Sequence, residues 1–284
     1  MAHPSPHAHP LHFVEYGEGT PVLALHGWGP DHRLMTGCLE PVFANRPGFR
    51  RIYPDLPGMG RTPAPEWITS SDDLLATVEG FIDSQIGGTP FLLVGESYGG
   101  YLARAIAHRR KDQVLGLALI CPVGTVLERD RRTVPPRTTV VHDPETVASM
   151  DPRDAEEFVG IAVVQSAETA RRFVDEILSG VRLADEAALS RIQQRWELSA
   201  PPEDGTPYPR PTLILTGRQD DRTGYADVYP LLDHYPRATF AVLDAAGHNL
   251  QIEQPELCEA LFSEWLQRVA RSAPGHLEWL RSLR

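Results

Sequence analysis

Three residue types, far apart in the chain, could together perform nucleophilic chemistry on a carbonyl carbon. Gly95-Glu96-Ser97-Tyr98-Gly99 has G-x-S-x-G spacing, follows the apolar run Phe91-Leu-Leu-Val94 and precedes a helix-period segment reaching about Arg110. In that setting the serine sits on a strained strand-to-helix turn, and its oxygen stands where the helix start favours negative charge. A serine hydroxyl is a weak nucleophile at neutral pH and needs a base within hydrogen-bond reach. Of the 11 histidines, His248 has the right context, because it leaves the strand-like Thr239–Leu243 through Asp244-Ala-Ala-Gly247. Gly247 permits a sharp loop that presents the ring over a strand end. His3, His7, His9 and His12 fall in a Pro-rich leader read as a mobile tail, and His108 lies in a solvated charged run. His32, His142, His234 and His276 have no chemical context.

The base needs an acid to fix its tautomer and stabilise its charged form. Gly217-Arg-Gln-Asp220-Asp221 follows the strand-like Thr212–Leu215, so either aspartate gives the chain order serine, acid, histidine. Asp220 is taken as the acid and Asp221 as a solvated turn residue. The turn after Val114–Ile120, the other position open to the acid, offers no carboxylate. A developing oxyanion needs preorganised amides, each worth on the order of 10²–10³ in rate. Tyr98, directly after the serine, and Trp28, in His26-Gly-Trp-Gly29, supply them. His26 is read as an organiser of that loop.

Seven strand-like segments position these residues: Leu11–Tyr16, Pro21–Leu25, Arg51–Pro54, Phe91–Val94, Val114–Ile120, Thr212–Leu215 and Thr239–Leu243. The first suggests an edge hairpin. Helix-period segments alternate with the strands, as in a mostly parallel α/β sheet, and Ser71 is read as the cap of one of them. Between about Val123 and Arg210 the alternation stops, and helical segments marked by Phe158, Phe173 and Trp196 take over. The expected organisation is a core formed by residues 1–122 and 211–284, with residues 123–210 inserted as a helical cap. The cap aromatics are candidates to line an acyl pocket or to pack the cap on the core.

Composition narrows the chemistry. Twenty-seven Lys+Arg against 38 Asp+Glu, a net charge of −11, disfavours a nucleic-acid partner. Lys111 is the lone lysine and lies in a charged run, which removes Schiff-base and P-loop readings. No segment has the length and apolarity of a membrane span, and no secretory signal is read at the N-terminus. Cys38, Cys121 and Cys258 lack metal or disulfide spacing and read as reduced packing residues, so the expected location is cytoplasmic.

The set HGWG at 26–29, DLPGMGRT at 55–62, GESYGG at 95–100, GRQDD at 217–221 and AGHNLQIEQP at 246–255 resembles the α/β-hydrolase fold superfamily. The resemblance implies an eight-stranded, mostly parallel sheet with a helical cap, and acyl transfer to water through an acyl-serine. It also places the first oxyanion donor at Trp28. Within the superfamily, haloalkane dehalogenases and epoxide hydrolases carry aspartate where this chain has Ser97. Carbon–carbon hydrolases of ring-fission products usually show Asn at the position of Glu96, and proline-type aminopeptidases Trp at that of Tyr98. The expectation is therefore a serine hydrolase of a carboxylic ester, of esterase or lactonase type, acting on a small apolar substrate without metal or organic cofactor. The alternatives are a carbon–carbon hydrolase and a ligand-binding receptor on the same scaffold.

Overall fold

The computed structural model describes residues 9–272. Seven strands form one sheet: β1 (Phe13–Tyr16), β2 (Thr20–Leu25), β3 (Phe49–Pro54), β4 (Phe91–Glu96), β5 (Val114–Ile120), β6 (Thr212–Gly217) and β7 (Ala238–Leu243). Their spatial order is β1-β3-β2-β4-β5-β6-β7, and every pairing is parallel except β1 with β3. Two expectations change. Each of the seven strand-like segments becomes a strand, but the described residues contain no eighth; that strand came from the family resemblance, and no further segment in the sequence carried its pattern. The edge hairpin is absent as well. β1 reaches past its neighbour in sequence to pair with β3, because β2 is already bonded on both sides, to β3 and β4.

Side-chain alternation builds a core on each face of the sheet. Val22, Ala24, Leu92, Val94, Leu213 and Leu215 point one way, toward α1 (His32–Phe43) and the helix Pro255–Ser272. Leu23, Leu25, Phe91, Leu93 and Ile214 point the other way, toward α2 (Ser71–Gln85) and α3 (Ser97–Arg109). A strand buried on both faces must be apolar at every position, which is why the central strands read as unbroken apolar runs. Each fully buried aliphatic side chain contributes roughly 1.5–3 kcal/mol.

Five α-helices lie between β5 and β6: α4 (Pro144–Ser149), α5 (Pro152–Val159), α6 (Ala167–Arg172), α7 (Ser179–Val181) and α8 (Glu186–Gln193). A π-helical stretch, Phe173–Leu178, joins α6 to α7. Most carry an acidic or hydroxyl cap; Asp143, Asp151, Ser166 and Asp185 each accept a backbone N–H of the following turn. The cap of α2 is Ser70, one residue earlier than expected. Ser71 faces inward instead, donating to the Trp196 carbonyl and accepting from the Tyr98 hydroxyl.

Candidate active site

β2 connects to β3 on one side, and the chain then crosses back to lay β4 on the other side of β2. The crevice beyond the carboxyl ends of β2 and β4 is the topological switch point where ligands bind in open α/β sheets. His26-Gly27-Trp28 leaves β2 there, and Ser97 opens α3 directly after β4. Ser97 is held at φ 50°, a left-handed conformation that costs about 1–3 kcal/mol for a non-glycine residue. The surrounding backbone enforces it. A Cβ on Gly99 would run into the Leu25 and His26 carbonyl oxygens, so helix and strand can approach this closely only with glycine there.

The structure brings Ser97, His248 and Asp220 into line. His248 Nε2 lies 3.0 Å from Ser97 Oγ, and its Nδ1 lies 3.0 Å from Asp220 Oδ2. With Asp220 accepting from Nδ1–H, Nε2 is left to accept the serine proton. Asp220 is fully buried and receives three further donors, the Arg222 and Thr223 amides and the Thr223 hydroxyl. Burial alone would raise its pKa, but the facing His248 and these donors outweigh it and hold it at about 2. Burial likewise opposes charge on His248, yet Asp220 prevails and lifts it to about 9. Asp221 instead sits 3.4 Å from Arg222 Nε.

Tyr98 occupies the second position of α3, where helix amides have no partner within the helix, and Trp28 lies in the facing turn. Their rings pack edge to face, 4.9 Å apart, and both contact Trp196. His26 is buried and fully engaged. Its Nε2 accepts the Leu56 amide, so Nδ1 carries the proton and donates to the Gly27 carbonyl. Burial lowers its pKa, which keeps the ring neutral.

Other residues at the site carried no sequence signal of a role. Glu96 precedes the serine and is buried, with Oε1 3.5 Å from His248 Nε2. Burial, aided by Asp220 and opposed by His248, pushes its pKa up to about 7. Glu253 accepts the Gly247, Val163 and Val164 amides, tying the His248 loop to the inserted segment. The G-H-x-x-x-x-E spacing is visible in the sequence, but its partner at 163–164 is not.

Four histidines stand differently from expectation. His12 and His32 each place Nδ1 on a different oxygen of buried Asp55, at 2.8 and 2.7 Å. His12 thus belongs to the packed structure, and His32 has a partner that only the fold supplies. His9 Nε2 lies 3.0 Å from the Pro63 carbonyl, whereas His3 and His7 lie outside the described residues. His108 is buried between the rings of Tyr208 and Tyr235, with its pKa pushed down to about 4 by burial. His12, His32 and Asp55 have donor atoms close enough to share a metal ion, as do Cys121, Asp220 and His248. Each set is already satisfied by the bonds described for its histidines and aspartate.

Two cavities meet over the serine, sharing Trp28, Ser97, Ile161, Arg222 and His248. The larger, of 810 Å³, includes Trp196; the smaller, of 210 Å³, includes Phe173. Phe158 lines neither and packs against Phe173, 5.4 Å between ring centroids.

A mostly parallel sheet of this order, with a serine elbow after β4 and a histidine beyond the last strand, defines an α/β hydrolase. The family model of the alpha/beta hydrolase fold matches residues 20–255, and the chain belongs to that family. An alpha/beta superfamily hydrolase from Oenococcus oeni PSU-1 superposes with a TM-score of 0.84 at 29% identity, covering 92% of this chain and 96% of that one. Haloalkane dehalogenase 2 of Mycobacterium tuberculosis is 27% identical over 269 residues, covering 89% of this chain and 90% of its own length. The pimeloyl-[acyl-carrier protein] methyl ester esterase of Shewanella oneidensis is 26% identical over 227 residues, covering 75% and 78%. No helix among the described residues is long and apolar enough to cross a membrane.

Proposed function

We propose that the chain is a serine hydrolase of carboxylic esters, with residues 123–210 acting as a cap over the reacting atoms. The observation that carries this reading is the continuous line Asp220–His248–Ser97, at 3.0 Å in each step, ending on a serine held in a left-handed elbow. Ser97 Oγ attacks the ester carbonyl while His248 Nε2 takes its proton. The resulting oxyanion is held by the Trp28 and Tyr98 amides. His248 returns the proton to the leaving alcohol, which departs and leaves an acyl-serine. Water, deprotonated by the same imidazole, then attacks the acyl carbon and restores the serine. Asp220 fixes the imidazole tautomer and stabilises the imidazolium. A serine at the elbow separates this chain from dehalogenase chemistry, in which the nucleophile is a carboxylate.

The test is turnover of a p-nitrophenyl ester chain-length series by the wild type and by Ser97→Ala. The wild type is expected to hydrolyse short or medium esters, and the variant to lose about 10⁴–10⁶-fold in kcat. Undiminished turnover by Ser97→Ala overturns the assignment. So does silence of the wild type on every ester combined with cleavage of a vinylogous 1,5-diketone, which would move the chain to carbon–carbon hydrolysis.

A further inference from the structure

The two cavities that meet at Ser97 differ in charge as well as in size. The smaller is walled by Leu34, Phe173, Ile177, Leu178 and Val181, and its lining includes the carboxylates of Glu96 and Glu157. Its wall is mostly apolar and its two carboxylates outnumber the shared Arg222, so it suits an uncharged apolar group better than an anion. The larger is lined by four arginines, Arg129, Arg132, Arg195 and Arg222. Twelve of the 24 arginines among the described residues have a carboxylate within ion-pair distance. Arg222 has Asp221, but among the described residues Arg129, Arg132 and Arg195 have no carboxylate within ion-pair distance.

Arg132 is the most informative of them. It is partly buried, and three backbone carbonyls hold its guanidinium: Val126 and Arg222 at 3.2 Å and Leu127 at 2.9 Å. Those bonds orient the fork but leave its charge unneutralised, and two of its five N–H groups remain. The carboxylates that act on it most, Asp220 and Asp227, are committed to His248 and to the Thr133 amide. Glu128, on the same wall, is paired with Arg131. Asp72 and Glu197 also line the cavity, and Asp72 accepts from the Ser199 amide and hydroxyl. Burial and the neighbouring Arg129 both disfavour the charge on Arg132, so a negative group in the cavity would relieve it.

Resting on the ester-hydrolase reading above, we propose that the substrate is an ester with an anionic arm, a carboxylate or a phosphate, which lies in the larger cavity against Arg132 and Arg129 while an apolar arm fills the smaller one. A planar fork held in place matches either oxyanion and supplies charge-assisted hydrogen bonds. A local positive field on a molecule of net charge −11 also steers the anionic end of the substrate to one side of the serine and so sets its polarity in the site.

The test compares esters of equal length whose far end is a carboxylate, a phosphate or a neutral carboxamide. The wild type is expected to show a kcat/KM at least about tenfold higher on one or both anionic esters than on the carboxamide, and the better of the two identifies the anion. In Arg132→Gln that ratio should fall about 10–100-fold, and Arg132→Lys should restore it in part. If Arg132→Gln does not fold, Arg129→Gln and the loss of the wild-type preference on raising ionic strength carry the same test. A wild type that turns over esters without preferring the anionic ones overturns this inference and leaves the hydrolase reading intact, as does a preference that survives in the arginine variants. If no ester is turned over, the hydrolase reading fails. Calorimetric titration of Ser97→Ala with a dicarboxylate and an alkyl phosphate, against the matched diol, then decides the anion site alone: binding only of the anions supports it, and equal or absent binding overturns it.

Discussion

The residues proposed to react stand where the chain leaves strand ends, whereas most of the lining of the larger cavity, and seven of the 16 residues that line the smaller, come from the segment between β5 and β6. The two regions are held together differently. Strand ladders and apolar layers on both faces fix the sheet, and Asp220 adds a buried carboxylate with four donors. The inserted helices are clasped by arginines that donate to backbone carbonyls. Arg33 reaches Ser179, Arg172 reaches Gly37 and Gln251, and Arg191 reaches Ala64, Pro65 and Ile68. Bonds of this kind are strong singly, about 1.5–3 kcal/mol, but directional and few. The reaction geometry is thus assigned to the part hardest to deform, and the shape of the substrate site to a part that a few polar contacts hold in place.

The largest effect expected from disturbing the rigid side of this contrast is in Asp220→Asn. The amide keeps the shape but presents the wrong partner to His248 Nδ1, so kcat should drop about 10³–10⁴-fold well below the melting transition, which itself falls because a buried acceptor of four donors loses its charge. Steady-state kinetics beside a melting curve checks both halves. A drop in activity that simply follows unfolding would mean that Asp220 serves the fold rather than the reaction.

On the clasped side, two adjacent arginines provide an internal control. Arg172 is buried, pairs with Glu176 through two bonds and reaches two carbonyls, while Arg171 is exposed on Glu168 and Asp175. Arg172→Ala strands a partly buried carboxylate and two carbonyls and should cost about 2–4 kcal/mol. Arg171→Ala should leave the urea midpoint in place, since exposed pairs contribute little. Equal midpoints in the two variants would show that the clasp does not hold the inserted helices.

The smallest effect expected is a displacement in pH. With His248 at about 9, its imidazole is mostly protonated at neutral pH, so kcat/KM should rise as pH climbs toward that value. Glu96 lies 3.5 Å from the same nitrogen and favours the charged ring. Glu96→Gln removes that charge, lowers the His248 pKa and moves the rising limb to lower pH by roughly one unit. A profile from about pH 6 to 10 reads the shift directly, and an unmoved limb would show that Asp220 alone sets the base.

Part of this arrangement is legible in the sequence. Ser97, His248 and Asp220 could be picked out because each follows a strand-like run, and a nucleophile or base on a strand end needs a local signature of turn and glycine. The seven strands were legible for the same reason: burial on both faces leaves an unbroken apolar run. Glu96 was visible only as a departure from a pattern, because its effect depends on a 3.5 Å approach to a residue 152 positions away. His32 looked idle, His12 looked like part of a tail and His108 looked solvated, since their partners Asp55, Tyr208 and Tyr235 are distant in sequence.

By itself the sequence determined the alternation of strands and helices, the elbow and the order of the reacting residues, because periodicity and turn chemistry are local. Tertiary structure alone decided that β1 joins β3, that Glu96 lies against His248, and that two cavities of different size and lining open on one serine. Those features arise where segments far apart in the chain pack together, and the direction and burial of a side chain at such a junction are properties of the assembled fold.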